Sequence, residues 1–395
     1  MIAREAAKIL EEEAPFIMSI NKGRQDEFGE SVNGYQKGDT VKIKIPPTPV
    51  VYSGSQFAGG GSAPDNTESF VNLSLNTQKH VPLQFGAKEK LLEITDFRER
   101  ILRPAMRGLS SVVEADLISQ AVLSTPNVVG TVGTTPTAMK TYAEARAKLQ
   151  QYLAPPSDRF VIISSEGNTE LVDASKALFH AKDQIERGFL RGSLGEAQGA
   201  EFYEHQSIPV HTLGNQAAWT INGASQTGTS LNIGGLTGAQ TISKGTVFTI
   251  PSVFMVHPLT GVATNKLQQF VVTADFTAGG TTGTISIFPA IQPSATVQNR
   301  TVTASPGAGA TVTLVGSVST AYRYSLMAQK DAFTTAMAPL PVLASCEGYT
   351  ARLPSGVSVR VMTFGDGNND YERTRIDVLY GFASVRPLHA CRIPG

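Results

Sequence analysis

The residues best equipped for chemistry are few and poorly grouped. Six histidines (His80, His180, His205, His211, His257 and His389) share no metal-ligand spacing. His205 and His211 flank a proline-containing turn, but two imidazoles fall short of the four ligands that a tetrahedral zinc site needs. Cys346 and Cys391 are the only cysteines, too few for a disulfide framework or a metal site of their own. His389 precedes Cys391 by two residues, which on a strand puts both on one face; a buried, satisfied thiol is the expected state. In "DGNNDYERTRID" the alternation of Asp366, Asn368 and Asp370 imitates a calcium loop. Tyr371 stands where the turn glycine belongs, however, and Asp377 replaces the closing bidentate glutamate. A polar loop between two strands, open to contacts between subunits, fits those residues better. The glycine-rich "FAGGGSAPDN" has no following helix and no Lys-Ser/Thr to hold a phosphate, so it reads as a loop tip. With no P-loop, Rossmann fingerprint, HExxH, GxSxG or paired CxxC, no catalytic residue, cofactor or metal is expected, and the chain does not read as an enzyme.

Composition narrows the class. Of the 395 residues 17% are charged, against roughly a quarter in ordinary soluble chains. Lys plus Arg is 33 and Asp plus Glu is 33, so the chain is neutral overall. A protein that grips nucleic acid by its phosphates carries a clear basic excess. The opening "MIAREAAKILEEEAPF" is amphipathic and acidic at Glu11–Glu13, unlike a secretory signal. No run of about 18 apolar residues suggests a membrane-spanning helix, and a reducing cytoplasm is the default compartment.

The elements that must position any site follow from periodicity. A short helix from Arg4 to about Glu13 leads into a polar connector. "GDTVKIKIP" alternates Val41, Ile43 and Ile45 against Lys42 and Lys44, a strand with a basic, solvated face. A second alternating run carries Val71, Leu73 and Leu75, then Val81, Leu83 and Phe85. Together they predict a long hairpin whose patternless tip has little of its own to bury. "TDFRERILRPAMRGLSSVVEADLISQAVLST" follows, with Asp96 and Glu99 as a capping pair and a stripe of Ile101, Ala105, Leu109, Val112, Val113, Leu117 and Ala121. A continuous helix there spans about 29 residues, roughly 44 Å, with Pro104 disturbing its start. Another helix is expected from Thr135-Pro136 to about Leu153. The buried strand Phe160–Ile163 then turns into a helix and opens an α/β layer.

Near Thr220 the text changes. From Asn222 to about Thr320 the only charged residues are Lys244, Lys266, Asp275 and Arg300. Short Val, Ile, Phe and Thr runs alternate there with Gly-, Ser- and Pro-rich turns, which argues for a small β-barrel or sandwich. Mixed character then returns in a helix-like "RYSLMAQKDAFTTAM", a strand at "GVSVRVMTF" and the terminal strand around Ile376, Val378, Tyr380 and Phe382. An all-β module thus interrupts an α/β body, and the last strands must return to complete it.

In that order, "KGDTVKIKIP", "DFRERILRPAMRGLSSVVEADL", "RFVIISSEGNTELV", "ISKGTVFTIPSVFMVHP…QQFVVTADF…GTISIFPAI" and "RTRIDVLYGFASVRPLHACRI" resemble the blocks of the major capsid (coat) proteins of short-tailed, Salmonella-type temperate bacteriophages, within the tailed-phage capsid superfamily. The resemblance implies an α+β tailed-phage capsid fold. Its parts would be an amino-terminal arm (1–31), an extended β-hairpin loop (32–90), a peripheral domain with a spine helix (91–155), an axial α/β domain (156–220), an inserted all-β barrel (221–320) and a returning segment (321–395). It also implies self-assembly into hexamers and pentamers of an icosahedral precursor shell, built on a scaffolding protein with a portal protein at one vertex, which expands as double-stranded DNA is packaged. The virion is then the destination, the bacterial host cytoplasm the place of assembly, and no membrane is involved. Charged residues on the projecting parts are the expected subunit contacts: Lys42, Lys44, Asp65, Glu68, Arg98, Arg100, Asp366 and Asp370. The competing reading is a β-rich glycan- or peptide-binding protein using the inserted module, which needs a concave aromatic platform from a chain with one tryptophan, Trp219.

Overall fold

The computed structural model describes residues 2–23, 40–52, 54–57, 68–86, 98–174, 195–366 and 371–395. The expected Asp96 cap, the glycine-rich loop tip and His180 lie outside them. Among the described residues no helix is long and apolar enough to cross a membrane. The chain divides into two compact units, one of residues 1–43, 70–118 and 333–385, the other of residues 44–69, 119–332 and 386–395.

The first unit is built on a mixed-length antiparallel sheet whose central strand is β20 (Tyr371–Ser384). Along one edge it pairs with β3 (Thr77–Gly86). Along the other it pairs first with β19 (Ser358–Asp366) and then with β17 (Phe333–Ala338), while β18 (Glu347–Arg352) flanks β19. The period-2 text of β20 gives the sheet two unlike faces. Ile376, Val378 and Tyr380 are buried on one. Helix α1 (Ile2–Glu12) packs on β18 and β19, and the Tyr380 hydroxyl donates to Asp116 of the spine helix at 2.6 Å. α1 buries Ala6, Ala7 and Leu10, the apolar stripe its sequence announces. The short α2 (Pro15–Ser19) follows it.

The opposite face carries Asp377, Gly381 and Ala383. There Val41, Ile43 and Leu73 form a small apolar cluster with Ala336 and Ala383. These come from β1 (Thr40–Ile45) and β2 (Ser69–Ser74), which among the described residues form a two-stranded sheet. A side chain at Gly381 would drive into the carbonyl of Ser74, so glycine permits this close approach. The hairpin therefore differs from its sequence reading in one way: the run Val81–Phe85 belongs to β3 in the main sheet. Alternation identifies a strand but not its partner, and β3 pairs with residues about three hundred positions away.

The spine winds in two ways. A π-turn (Arg98–Leu102) precedes α3 (Arg103–Ser124), a helix of 22 residues. Pro104, which has no N–H to donate, falls where the winding changes from π to α. Leu109, Val113, Leu117 and Ala121 are buried as expected, with Met106 and Ile118 beside them, whereas Val112 is exposed.

In the second unit β16 (Ala321–Gln329) lies between β21 (Ala390–Pro394) and β4 (Arg159–Ile163), and β4 runs parallel to β6 (Ala200–Glu204). Minor strands β5 (Glu196–Ala197) and β7 (Val210–Thr212) extend the sheet through β6 and β16. Helix α4 (Met139–Gln151) packs Tyr142, Ala145 and Leu149 against Val161, Met327, Cys391 and Ile393, and Leu171 of α5 (Ser165–Ala174) joins that core. The expected helix in "RYSLMAQKDAFTTAM" is absent: the residues form β16, a 3₁₀ turn (Lys330–Ala332) and β17. From Tyr324 to Gln329 every side chain is buried, so alternation disappears and the helix-forming Leu, Met, Ala and Gln mislead.

Between β7 and β16 the charge-poor text forms a sheet ordered β15-β11-β12-β14-β9-β8. Its strands are β8 (Thr220–Ile221), β9 (Gly228–Gly234), β11 (Val247–Val256), β12 (Ala263–Val272), β14 (Thr282–Ile291) and β15 (Thr313–Leu314). β10 (Thr241–Ile242) and β13 (Phe276–Thr277) make a separate ribbon. The segment entering β15 is stitched to β8 by Val312 N–H to Trp219 O (3.1 Å) and Ile221 N–H to Ala310 O (3.0 Å), which closes the sheet on itself. Inside it Trp219 meets Phe248 edge-on and Phe248 stacks on Phe270, with Leu231, Ile233, Ile285 and Ile287 around them.

Candidate subunit interface

The hairpin strands carry the charges that the sequence singles out. Val41 and Ile43 point into the cluster at the base, which turns Lys42 and Lys44 outward. Lys42 Nζ sits 5.0 Å from the ring centre of Phe70. Lys44 Nζ lies 2.9 Å from Glu68 Oε2, with both side chains largely exposed. The pair joins the hairpin's own two strands and leaves their heads in water. Arg100 is exposed in the π-turn. Arg98 stands in that turn and Asp366 ends β19, but their side chains, like Asp65 and Asp370 as a whole, lie outside the described residues.

The exposed apolar groups are as telling as the charges. Val51 is 80%, Phe57 79% and Phe70 57% exposed. Scattered surface apolar residues are ordinary, and Val51, Phe57 and Phe70 are each a candidate for contact with another chain. The sequence held the signal in Phe57 and Phe70, two aromatics bracketing a polar loop. Beyond β1, the Thr48 N–H donates to Asn299 Oδ1 at 2.8 Å, and a cleft of about 410 Å³ opens between Thr48–Val51 and Leu259, Val297 and Arg300.

The residues weighed for chemistry are engaged elsewhere. Asp377 is fully buried and its carboxylate is saturated. Arg360 Nη2 and Nε donate to Oδ2 at 2.8 and 3.2 Å, while Arg375 Nε and Gln78 Nε2 donate to Oδ1 at 2.6 and 3.0 Å. It has no lone pair to offer a calcium ion. His205 Nδ1 accepts from Ser207 N–H, and His211 Nε2 bonds the Lys244 carbonyl at 2.8 Å. Cys391 is buried, and burial pushes its thiol up to about 12, so it is inert. His389 bonds the Tyr152 carbonyl at 3.1 Å, and burial, with Arg386 nearby, holds its imidazole down to about 4. Trp219 is sealed in the β core, which removes the anchor of the glycan-binding reading. Among the described residues no cluster of His, Cys, Asp or Glu is placed to hold a metal.

Comparison with known proteins completes the picture. No curated protein sequence matches. Solved structures with loose likeness include one from Mycobacterium phage Che8 (12% identity, 95% of this chain and 89% of that one, TM-score 0.46). Others are the asymmetric unit of the bacteriophage PhiM1 mature capsid (9%, 93% and 90%, TM-score 0.44) and a virus-like particle from Pyrococcus furiosus (8%, 99% and 97%, TM-score 0.40). A family model described as "P22 coat protein - gene protein 5" matches residues 32–393. With that match running almost end to end, the chain belongs to the P22 coat protein family, structural proteins of the phage virion with no enzymatic role.

Proposed function

We propose that this chain is the repeating subunit of an icosahedral head, closing on copies of itself as hexamers and pentamers. In this reading a scaffolding protein directs a precursor shell in the host cytoplasm, a portal protein occupies one vertex, and the shell expands around double-stranded DNA. The observation that carries it is that Val51, Phe57 and Phe70 face solvent in the single chain, while Val41, Ile43 and Leu73 nearby are packed. A second copy supplies the missing cover, and many modest contacts of this kind add up once a ring has begun to close. Neutral overall charge suits a wall that encloses DNA without gripping it. The division into arm, hairpin loop, peripheral, axial and inserted β parts expected above is the working map for this reading.

Negative-stain electron microscopy of the expressed chain with its scaffold tests the proposal. Wild type should give closed particles, and Phe57→Ser should give soluble, folded subunits that fail to close. Wild-type chains that stay monomeric at high concentration with scaffold present would sink the reading.

A further inference from the structure

Among its described residues the second unit contains separate apolar clusters, one around Trp219, Phe248 and Phe270 and one around Tyr142, Val161, Met327 and Cys391. Polar contacts help join the β region to the α/β sheet. The Gln269 side chain pairs with Val128 as a strand would: Nε2 donates to Val128 O at 2.9 Å and Oε1 accepts its N–H at 3.1 Å. The Gln268 amide meets the Tyr152 hydroxyl at 3.0 Å. The third attachment is the Lys244–Gly245 turn that leads into β11. His211 of β7 holds the Lys244 carbonyl, and Asp275 Oδ1 accepts the Lys244 N–H at 2.7 Å.

Arg392 of β21 grips the same turn. Nη1 donates to Gly245 O at 2.8 Å, and Nη2 reaches Leu123 O in the last turn of α3 at 3.4 Å. Its backbone N–H donates to Asn127 O at 2.8 Å and its carbonyl accepts from Val129 N–H at 3.2 Å, so the side chain leaves a fixed base. The guanidinium is fully buried and lies 5.6 Å from the Tyr324 ring centre. Burial draws its pKa down to about 10, which leaves it charged at neutral pH. No carboxylate holds it by a salt bridge among the described residues; two backbone carbonyls and a ring face do. One of those carbonyls is an unpaired helix-end group, where a cation is favoured by the helix dipole. Gly245 has φ +88, and a side chain there would run into Leu123 and press on the His211 ring.

We propose that Arg392 is a coupling pin: by holding Gly245 O and Leu123 O in one planar fork, it makes the end of the spine helix and the β region move as one. Lysine cannot do this, because a single ammonium does not span two carbonyls in fixed geometry. The pin also has no half-open state of low energy, since releasing either carbonyl strands a buried charge. The inference concerns one chain and stands whether or not that chain closes into a shell.

Hydrogen exchange on the full-length chain, followed residue by residue, tests it. Arg392→Met should raise exchange at the Gly245 and Thr125 amides together, on the order of ten- to hundredfold. Trp219 emission should stay that of a buried indole. Arg392→Lys should recover protection at one of the two amides only. Gly245→Ala, which leaves Arg392 in place but wedges Leu123 away, should give the same paired rise, and it decides the matter if Arg392→Met does not fold. A rise at one amide alone, or at neither, overturns the proposal. So does exposure of Trp219 in step with the two amides, because Arg392 would then be holding the β core itself.

Discussion

The Glu114 carboxylate, buried in the middle of the spine helix, accepts the Phe16 N–H at 2.8 Å and the Ile17 N–H beside it at 3.2 Å. It thereby caps α2 from a residue nearly a hundred positions away, and Arg107 Nε, two turns earlier on the same face, holds Glu13 Oε1 at 2.8 Å. Glu114→Ala should cost about 2 kcal/mol, because two N–H groups lose a charged acceptor where water cannot replace it. Urea unfolding measures the loss, and limited proteolysis should cut first near residues 13–20. An unchanged midpoint and cleavage pattern would refute the latch.

Lys44 and Glu68 allow their two possible roles to be separated. As a pair within one exposed hairpin they are worth at most about 1 kcal/mol, less in high salt. Single alanines should therefore barely move the unfolding midpoint. The double exchange Lys44→Glu with Glu68→Lys restores the internal pair but inverts the field presented outward. If particle yield recovers in the double variant, the pair acts within the chain; if yield stays low, the charges face a neighbour.

Asp377→Ala should be among the most damaging substitutions in the first unit. It leaves Arg360, whose side chain is 8% exposed, without its counter-charge, and such a loss destabilises by about 3–5 kcal/mol. Replacing both partners, Arg360→Met with Asp377→Leu, should be markedly milder than the single change. Thermal unfolding of the three variants makes the comparison, and equal losses would contradict it.

Two histidines give the second unit a defined acid response. Burial, and after it the charge of Arg392, lowers the pKa of His211; Asp275 and the Lys244 carbonyl oppose that shift. His389 is held down to about 4 by burial and Arg386, against Asp331 and the Tyr152 carbonyl. Both bind protons less readily in the fold than in the unfolded chain, where they titrate near the ordinary value of about 6.5. Below that pH the unfolded state binds more protons, so stability is flat above about pH 7 and falls as pH drops toward 4. His389 alone should account for about 2 kcal/mol between pH 7 and pH 5. His389→Gln should flatten the pH dependence of the urea midpoint by that amount, and an unchanged slope would show that the buried imidazole does not carry it.

Much of the architecture is legible in the text because local pattern and tertiary need agree. The scarcity of charge from 222 to 320 marks a region whose strands fill a closed core. The alternation in β20 gives one buried face and one that holds the hairpin. Agreement fails where an element is buried on all sides, as in β16, or where a partner is distant, as with β3. The candidate interface is half legible: alternation turns Lys42 and Lys44 outward, but no spacing tells that Lys44 meets Glu68 across the hairpin. Arg392 is hidden for another reason. It answers to backbone carbonyls, which leave no imprint on residue type beyond one glycine.

That same preference for carbonyls bears on how such a chain varies over time. Arg392, His211 and Gln269 hold main-chain atoms of Gly245, Lys244 and Val128, and Asn127 holds those of Leu388 and Ala390. Main-chain atoms survive nearly any substitution, so the gripped side can drift in sequence, Gly245 excepted, while the joint persists. Around Gln268, Gln269 and Gly245, the β region can thus be re-decorated for new surroundings without redesigning the body that bears it.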